Sequence, residues 1–348
     1  MTIVTQIDKQ SFRANEGMGS HDQLDHVFHP IFTEFDGILH RYVAFNLFFI
    51  VLCTLEVLFL GVFFSFLSKS LVLALGLALL FFTCFAYFTF RIYFQTKKPE
   101  QLKGIKDRYI ETCREMISSQ ESSEKQSLAL ASAYCKLANR LHAREYTYYQ
   151  LPKWLGSLFP WIERFSCWWH WQDVHFMKEL LLQEAVNEQI KLVKCCPTSL
   201  EAHASLANAY VMLSGLYIDP RKLEGYDDEY WIPSDKYDEE FAVKFRTIAE
   251  RAIEEFKVLC EYAPDDPWVH SQLAYSYHDL QMPKEEIAEY ETIQKLLPDD
   301  KDNLYKLGKL YFQQGMNAKG LRAYEELKKA HYSKAENLIK YYGSNSTS

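Results

Sequence analysis

Hydrophobic residues are concentrated in two uninterrupted runs near the start of the chain. The first run covers residues 42–67 and holds one charged side chain, Glu56, whereas the second covers 71–90 and holds none. Each run exceeds the roughly 18 residues typical of a spanning helix, since a hydrocarbon core about 30 Å thick takes about 20 residues. The pattern predicts a two-helix transmembrane hairpin over 42–94, with a re-entrant hairpin in one leaflet as the alternative.

The flanking charges predict how the hairpin is oriented. Basic residues follow the second run closely, namely Arg91, Lys97, Lys98, Lys103, Lys106 and Arg108. Because positive residues are retained on the cytoplasmic side, we expect the basic segment 95–119 and everything after it to be cytoplasmic. Two crossings return the N-terminal segment 1–41 to the same side. The sequence therefore predicts an integral membrane protein with both termini in the cytoplasm. The expected membrane is a bacterial inner membrane, with a pathogen inclusion membrane as the alternative.

Glu56 is the one ionisable side chain inside the runs. A carboxyl group at the bilayer centre costs about 2.5–3.5 kcal/mol on insertion scales unless it is protonated or paired. Thr83 lies, to within one residue, as far after the 68–70 tip as Glu56 lies before it. We therefore expect Glu56 to bond to Thr83, or to its own copy in a neighbouring subunit. A proton or ion relay is the functional alternative.

Apolar residues also recur at helical spacing before the first run. They are Leu24, Val27, Phe28, Ile31, Phe35, Ile38 and Leu39. This periodicity predicts an amphipathic helix, bent at Pro30 and lying on the cytoplasmic leaflet.

The rest of the chain repeats a motif of Leu, a small residue and, three residues after it, Tyr. Two copies, at Leu273 and Leu307, are 34 residues apart, as are Pro264 and Pro298, each of which precedes an acidic pair. Earlier copies begin at Leu130 and Leu206. A 34-residue period with a closing proline predicts a repeated helix–turn–helix unit.

These motifs resemble those of the tetratricopeptide repeat (TPR) family. The resemblance implies an all-α fold in which the hairpin precedes a TPR-type solenoid over 120–335. It implies four units, of which the first two carry long insertions near 144–170 and 215–238. Glu286 and Gly320 depart from the family pattern, which usually has Ala there. Residues 336–348 are expected to form a disordered tail.

The resemblance also implies a binding groove on the concave face of the solenoid. In TPR proteins the first helix of each unit lines this face, and extended or helical peptides dock there. The corresponding positions here are Asn208, Ser271, Tyr275, His278, Tyr305, Lys309 and Phe312. Their aromatic character favours an apolar or aromatic peptide.

The two insertions differ in chemistry. The first contains Trp154, Trp161, Trp168, Trp169 and Trp171. Aromatic residues favour the headgroup region, so these five are candidates for contact with the bilayer or a membrane partner; the alternative is an apolar cap on the solenoid. Residues 217–241, around the second insertion, hold nine acidic and three basic residues, typical of a solvated loop or a site for a basic partner.

Composition narrows the function. The formal net charge of −8 over 348 residues argues against nucleic acid, which requires a basic face. Cys167, His170 and His175 lack the paired spacing of a zinc knuckle, so no metal or cofactor is expected. The chain has no glycine-rich phosphate loop, HExxH motif or serine nucleophile elbow, which favours a protein that is not an enzyme.

The sequence therefore predicts a membrane-anchored TPR scaffold that recruits a protein or peptide partner at the cytoplasmic face. One alternative is a subunit of a membrane assembly or transport complex, in which the hairpin forms a homo- or hetero-oligomer around Glu56. The hairpin also resembles the bilobed hydrophobic domain of chlamydial inclusion membrane proteins. That resemblance implies a further alternative, an inclusion-membrane effector of an intracellular bacterium.

Overall fold

The computed structural model describes residues 21–67, 71–118, 123–149, 159–222 and 231–343. Within these ranges the secondary structure is helical, and no strand occurs. The chain divides into two compact units. One contains the described parts of Glu16–Ala185 together with Asp227–Lys236; the other contains those of Val186–Tyr226 and Tyr237–Ser348.

Two long helices, α1 (His21–Leu67) and α2 (Leu71–Ser118), form an antiparallel pair in the first unit. Contacts at successive levels fix their register: Thr83 with Glu56, Gln101 with Tyr42, and Arg108 with Glu34. α1 has 47 residues, which corresponds to about 70 Å of helix. The pair is therefore much longer than the roughly 30 Å that a hydrocarbon core requires.

The middle of this pair exposes its apolar side chains. By length and composition, both helices could cross a membrane. Only 6% of the apolar stretch of each helix is buried inside the protein. Large side chains more than half exposed include Phe48, Leu55, Leu58, Phe81, Phe82 and Phe85. A soluble monomer seldom exposes an apolar surface of this extent.

The segment before the first run is not an interfacial helix, contrary to the prediction. Phe35 and Leu39 are buried, and α1 continues through them without interruption. Ile105 and Tyr109 of α2 are buried at the same levels. The apolar stripe therefore packs inside the α1–α2 pair rather than on a leaflet. The side chains of Leu24, Val27 and Phe28 lie outside the described residues.

Two further helices belong wholly or partly to this unit. α3 (Ser123–Arg140) packs on α2, where the Tyr109 hydroxyl donates to the Ala133 carbonyl at 3.0 Å and the Tyr109 and Tyr134 rings meet edge to face. α4 (Phe159–Cys195) begins within the predicted first insertion. The aromatic residues from 159 onward are thus helical rather than part of a loop.

The second unit contains three helix pairs. Consecutive helices pack on each other within each pair and from one pair to the next. The pairs are α5 (Leu200–Gly215) with α6 (Glu239–Tyr262), α7 (Pro267–Asp279) with α8 (Pro283–Leu296), and α9 (Lys301–Gln313) with α10 (Asn317–Lys329).

The repeated proline–acidic motif begins each of the last two pairs. Asp266 accepts a hydrogen bond from the Trp268 amide at 2.9 Å, and Asp300 accepts one from the Asn303 amide at 3.0 Å. The second acidic residue after each proline is therefore the N-cap of the next helix. A cap of this kind contributes about 1 kcal/mol.

Two histidines join helices within their pairs. His270 contacts Glu289 at 2.6 Å through Nδ1 and the Pro264 carbonyl at 2.8 Å through Nε2; His203 contacts Glu255 at 2.6 Å and the Pro197 carbonyl at 3.0 Å. Both partners of each ring are oxygen acceptors, so both ring nitrogens donate and the ring is cationic.

The pKa values of these histidines agree with that assignment. Burial opposes the charge, but the hydrogen bonds to glutamate and to the proline carbonyl outweigh it and raise the pKa of His203 and His270. A raised folded-state pKa stabilises the fold fully below the unfolded pKa of about 6.5, and this stability is lost as the pH rises through the folded value.

The end of the described chain is ordered, contrary to the predicted tail. α11 (Ala335–Leu338) and a 3₁₀ turn (Ile339–Tyr341) pack on α9 and α10. Ala335 and Leu338 are buried beside Leu327. They cover the apolar side of the last pair, which would otherwise face water. Residues 344–348 lie outside the described range.

Candidate functional site

Tyr275 and Lys306 form the centre of the candidate docking surface. The Lys306 ammonium donates to the Tyr275 hydroxyl at 3.1 Å and lies 5.1 Å from the centre of its ring. The Tyr275 ring in turn meets Tyr290 edge to face. Because Tyr275 is on α7 and Lys306 is on α9, this contact joins the first helices of neighbouring pairs. It presents an aromatic face and a cation together.

His278 extends this surface toward the end of α7. Its side chain is 52% exposed, and Nδ1 contacts the buried Glu286 carboxylate at 3.0 Å. Burial raises the pKa of the adjacent Asp279 to about 6, with His278 lowering it and Glu286 raising it further. The charge of this region therefore changes near pH 6.

Phe312 does not line the surface, and its prediction as a groove residue was wrong. It is 0% exposed and packs with Ala323, Leu327 and Leu338. A Cβ at Gly320 would lie 2.5 Å from the Phe312 ring, so the missing side chain at position 320 provides the space for this ring.

His278 and Glu286 occupy the same repeat positions as Phe312 and Gly320. Each of the two departures from the family pattern, Glu286 and Gly320, is therefore one member of a contacting pair. Glu286 forms a polar pair with His278, and Gly320 forms an apolar pair with Phe312. In each pair, the residue on the second helix matches the size and charge of the side chain eight residues earlier.

The remaining groove predictions have mixed outcomes. Tyr305 and Lys309 lie beside the C-terminal segment, since the Tyr305 ring is 6.1 Å from the ring of Tyr332 and the Lys309 ammonium is 5.5 Å from that of Tyr341. The Ser271 hydroxyl donates to the Pro267 carbonyl of its own helix at 2.8 Å. Asn208 has a buried Oδ1 that accepts no hydrogen bond within the described residues.

Lys306, Asp279 and Glu286 were not predicted as parts of this surface. The family positions select one residue per helical turn, and Lys306 is adjacent to the selected Tyr305. Glu286 was recognised only as a departure from alanine. The sequence did carry a signal for this contact, namely the spacing of eight residues between His278 and Glu286. A buried carboxylate requires a partner on the facing helix.

The predicted contact between Glu56 and Thr83, the polar pair of the two apolar runs, is present. The Thr83 hydroxyl donates to Glu56 Oε1 at 2.8 Å. Glu56 Oε2 is buried and has no hydrogen-bond partner within the described residues. The bond therefore satisfies one of the two oxygens of this carboxyl group.

The tryptophans of the first insertion divide into separate environments. Trp161 and Trp168 are 69% and 47% exposed, whereas Trp169 is half-buried beneath the Arg91 guanidinium, 4.6 Å from the ring centre. Trp171 is buried and stacked on His175 at 4.5 Å, so it was wrongly predicted to reach the bilayer. Trp154 lies outside the described residues.

The cysteine and histidines of the first insertion do not converge on a zinc site. The Cys167 thiol contacts the Trp231 carbonyl at 3.5 Å, His170 contacts Asp173 at 3.3 Å, and His175 stacks on an indole. No group of three or more metal-ligating side chains occurs within the described ranges. Burial raises the pKa of Cys167 to about 12, which makes this thiol a poor nucleophile.

Comparison with known proteins finds likeness among solved structures. No family model and no curated protein matches the chain. Among solved structures, it is similar to a thermophilic TPR protein of Thermus thermophilus, with 18% sequence identity and a TM-score of 0.30; the alignment covers 61% of this chain and 96% of that one. The assignment of helix pairs does not depend on this comparison, because it follows from the packing of α5 to α10.

Proposed function

We propose that this chain is a membrane-anchored scaffold whose TPR-like helix pairs recruit a protein or peptide partner at the cytoplasmic face, without catalysis. The hairpin α1–α2 holds the chain in the bilayer. The helix pairs supply the docking surface.

The anchoring role is supported by the exposed apolar surface of α1 and α2. Phe48, Leu58, Phe82 and their neighbours remain more than half exposed although the two helices pack on each other. Burying such side chains contributes roughly 1.5–3 kcal/mol each. A bilayer is the environment that covers an apolar surface around a helix pair of this length.

The observation that carries the docking role is the Tyr275–Lys306 contact. Tyrosine is enriched among interface hot spots, and its ring offers a large rigid surface with a hydrogen-bonding hydroxyl group. His278 and the titratable Asp279 add polar groups beside it. Such a surface suits a peptide that carries an aromatic residue and an acceptor for the Lys306 ammonium.

Affinity capture with the full chain in detergent tests this role. We expect Tyr275→Ala with Lys306→Ala to lose partners that the unaltered chain retains. The matched control is Tyr324→Ala with Lys328→Ala, since Lys328 donates to the Tyr324 hydroxyl at 3.3 Å on the second helix of a pair. If both double variants retain the same proteins as the unaltered chain, the proposed surface is wrong.

A second candidate function, a subunit of a membrane assembly, is favoured by the buried Glu56 Oε2, which has no hydrogen-bond partner within the described chain. A neighbouring helix that donates to this oxygen would remove its desolvation cost. Glu56→Ala should then dissociate a complex in mild detergent. A simple anchor should tolerate the change, with membrane retention unaltered.

A further inference from the structure

We propose that the first turns of α4 insert into the same leaflet from which α1 and α2 emerge, which makes α4 a third membrane-contacting helix. This inference rests on the proposed anchoring of the hairpin. It assigns the bilayer itself as the occupant of an exposed aromatic stripe.

The stripe consists of Trp161, Phe165 and Trp168. These side chains recur at helical spacing and are 38–69% exposed. Ser166 and His170, on the opposite face of α4, are fully buried. α4 therefore packs on the protein by one face and leaves most of the surface of Trp161 and about half that of Trp168 exposed on the other, with Phe165 at the edge of the stripe.

Two contacts fix the direction of α4 relative to α2. Arg91 lies over the Trp169 ring, and the Lys98 ammonium donates to Asp173 at 2.8 Å. Moving from Arg91 to Lys98 advances about 10 Å along α2, while moving from Trp169 to Asp173 advances about 6 Å along α4. Both helices thus leave the apolar run in the same sense, and the N-terminus of α4 points back toward it.

A second set of contacts shows how far the first turns of α4 reach along the apolar runs of the hairpin. The Phe165 ring is 5.0 Å from Tyr149, whose hydroxyl accepts a hydrogen bond from Asn46 at 3.4 Å. Asn46 also accepts one from the Tyr87 hydroxyl at 3.3 Å. Asn46 lies one helical turn inside the first apolar run, so Phe165 lies near that level. Trp161 lies about one turn, or 6 Å, further along α4 toward the bilayer centre.

The surroundings of the stripe suit a lipid bilayer. It adjoins the exposed Ile92 and Tyr93 of α2 through Trp169 and Arg91, so it is continuous with the apolar surface of the hairpin. The Arg164 guanidinium lies 5.9 Å from the Trp161 ring. Indole rings with nearby arginines match the headgroup region, where phosphates accept the guanidinium hydrogen bonds. Interfacial helices bury their apolar faces about 5–10 Å into this region.

Fluorescence quenching by brominated lipid tests the inference. The full chain is reconstituted into phosphatidylcholine vesicles with or without bromine on the acyl chains. We expect Trp161→Phe and Trp168→Phe each to lower the fraction of tryptophan emission that bromine quenches. The controls Trp171→Phe and Trp268→Phe should raise that fraction, because they remove emission from rings held inside the protein or in the helix pairs.

The outcomes separate this inference from the anchoring on which it rests. If the unaltered chain fails to float with the vesicles, the anchoring is wrong and the inference falls with it. If the chain floats but Trp161→Phe and Trp168→Phe leave the quenched fraction unchanged or raised, anchoring stands and the insertion of α4 is refuted. An unchanged far-ultraviolet circular dichroism spectrum in detergent shows that each variant keeps its helical fold.

Discussion

Replacing Gly320 with alanine tests whether Phe312 belongs to the core of the last helix pair. The added Cβ would lie 2.5, 2.6 and 2.9 Å from three carbons of the Phe312 ring. Ordinary carbon contacts are about 3.5–4.0 Å, so the ring must move by about 1 Å. It is held by Leu327 and Leu338, which are themselves fully buried.

Two effects of opposite sign set the magnitude. Overpacking of this kind typically costs about 1–3 kcal/mol. Alanine is better than glycine in a helix interior by about 1 kcal/mol. We therefore expect Gly320→Ala to lower the free energy of unfolding by about 0–2 kcal/mol. In a Phe312→Leu background, where the ring is absent, the same change should raise it by about 1 kcal/mol.

Hydrogen exchange with mass spectrometry measures the change in local stability, in peptides from α9 and α10 of the full chain in detergent. The control is Gly104→Ala in α2, where the nearest atom to the added Cβ is Arg108 Nη1 at 3.8 Å; it should slow exchange in its own helix. The reasoning is refuted if Gly320→Ala slows exchange equally in both backgrounds. That result would place the Phe312 ring away from position 320, as in the original groove prediction.

Three other sets of contacts give predictions of their own. The helix pairs should lose stability as the pH rises above about 6.5 and through the raised pKa values of His270 and His203, because both rings then lose their charge; His270→Gln should flatten this dependence in chemical denaturation at each pH. Gln281→Gly should stabilise α7–α8 by about 0.5–1 kcal/mol, because Gln281 has a φ of 57° where the next unit has glycine; unchanged or lower stability would contradict this. Gly308→Ala should speed hydrogen exchange in residues 335–341, since its Cβ would lie 2.8 Å from Leu338; slower exchange there would show that α11 does not depend on this contact.

Much of the fold followed from periodicities that are compatible with few alternatives. Two long apolar runs separated by three residues leave little choice but a helical hairpin, and nearly equal distances from the tip placed Thr83 beside Glu56. The 34-residue period placed Pro264 and Pro298 at the turns between successive helix pairs. In these cases the chain position alone determines which side chains face each other.

The errors arose where a pattern fits more than one environment. An apolar stripe such as that at Phe35 and Leu39 is compatible with a leaflet or with a second helix. The available signal was a matching stripe at Ile105 and Tyr109, on the far side of the runs, which shows that the antiparallel pair continues beyond the apolar runs.

Phe312 was misplaced for a related reason. Family positions predicted its direction from helical spacing, but spacing carries no information on what lies opposite. Gly320, eight residues later, held that information, because a glycine where alanine is usual leaves room for a ring. Trp171 shows the same limit, since it is the same residue type as Trp168 while its burial depends on the packing of His175.

The most direct test of the central claim is the accessibility of thiols in sealed membranes. Cys195, which is exposed, and a cysteine introduced by Lys69→Cys are treated with a membrane-impermeant maleimide and located by peptide mapping. In sealed inverted vesicles, we expect the reagent at Cys195 and not at position 69, with the opposite pattern in intact cells. Labelling of both positions from the same side, or recovery of the protein outside the membrane fraction, would contradict a two-pass anchor that holds the helix pairs in the cytoplasm.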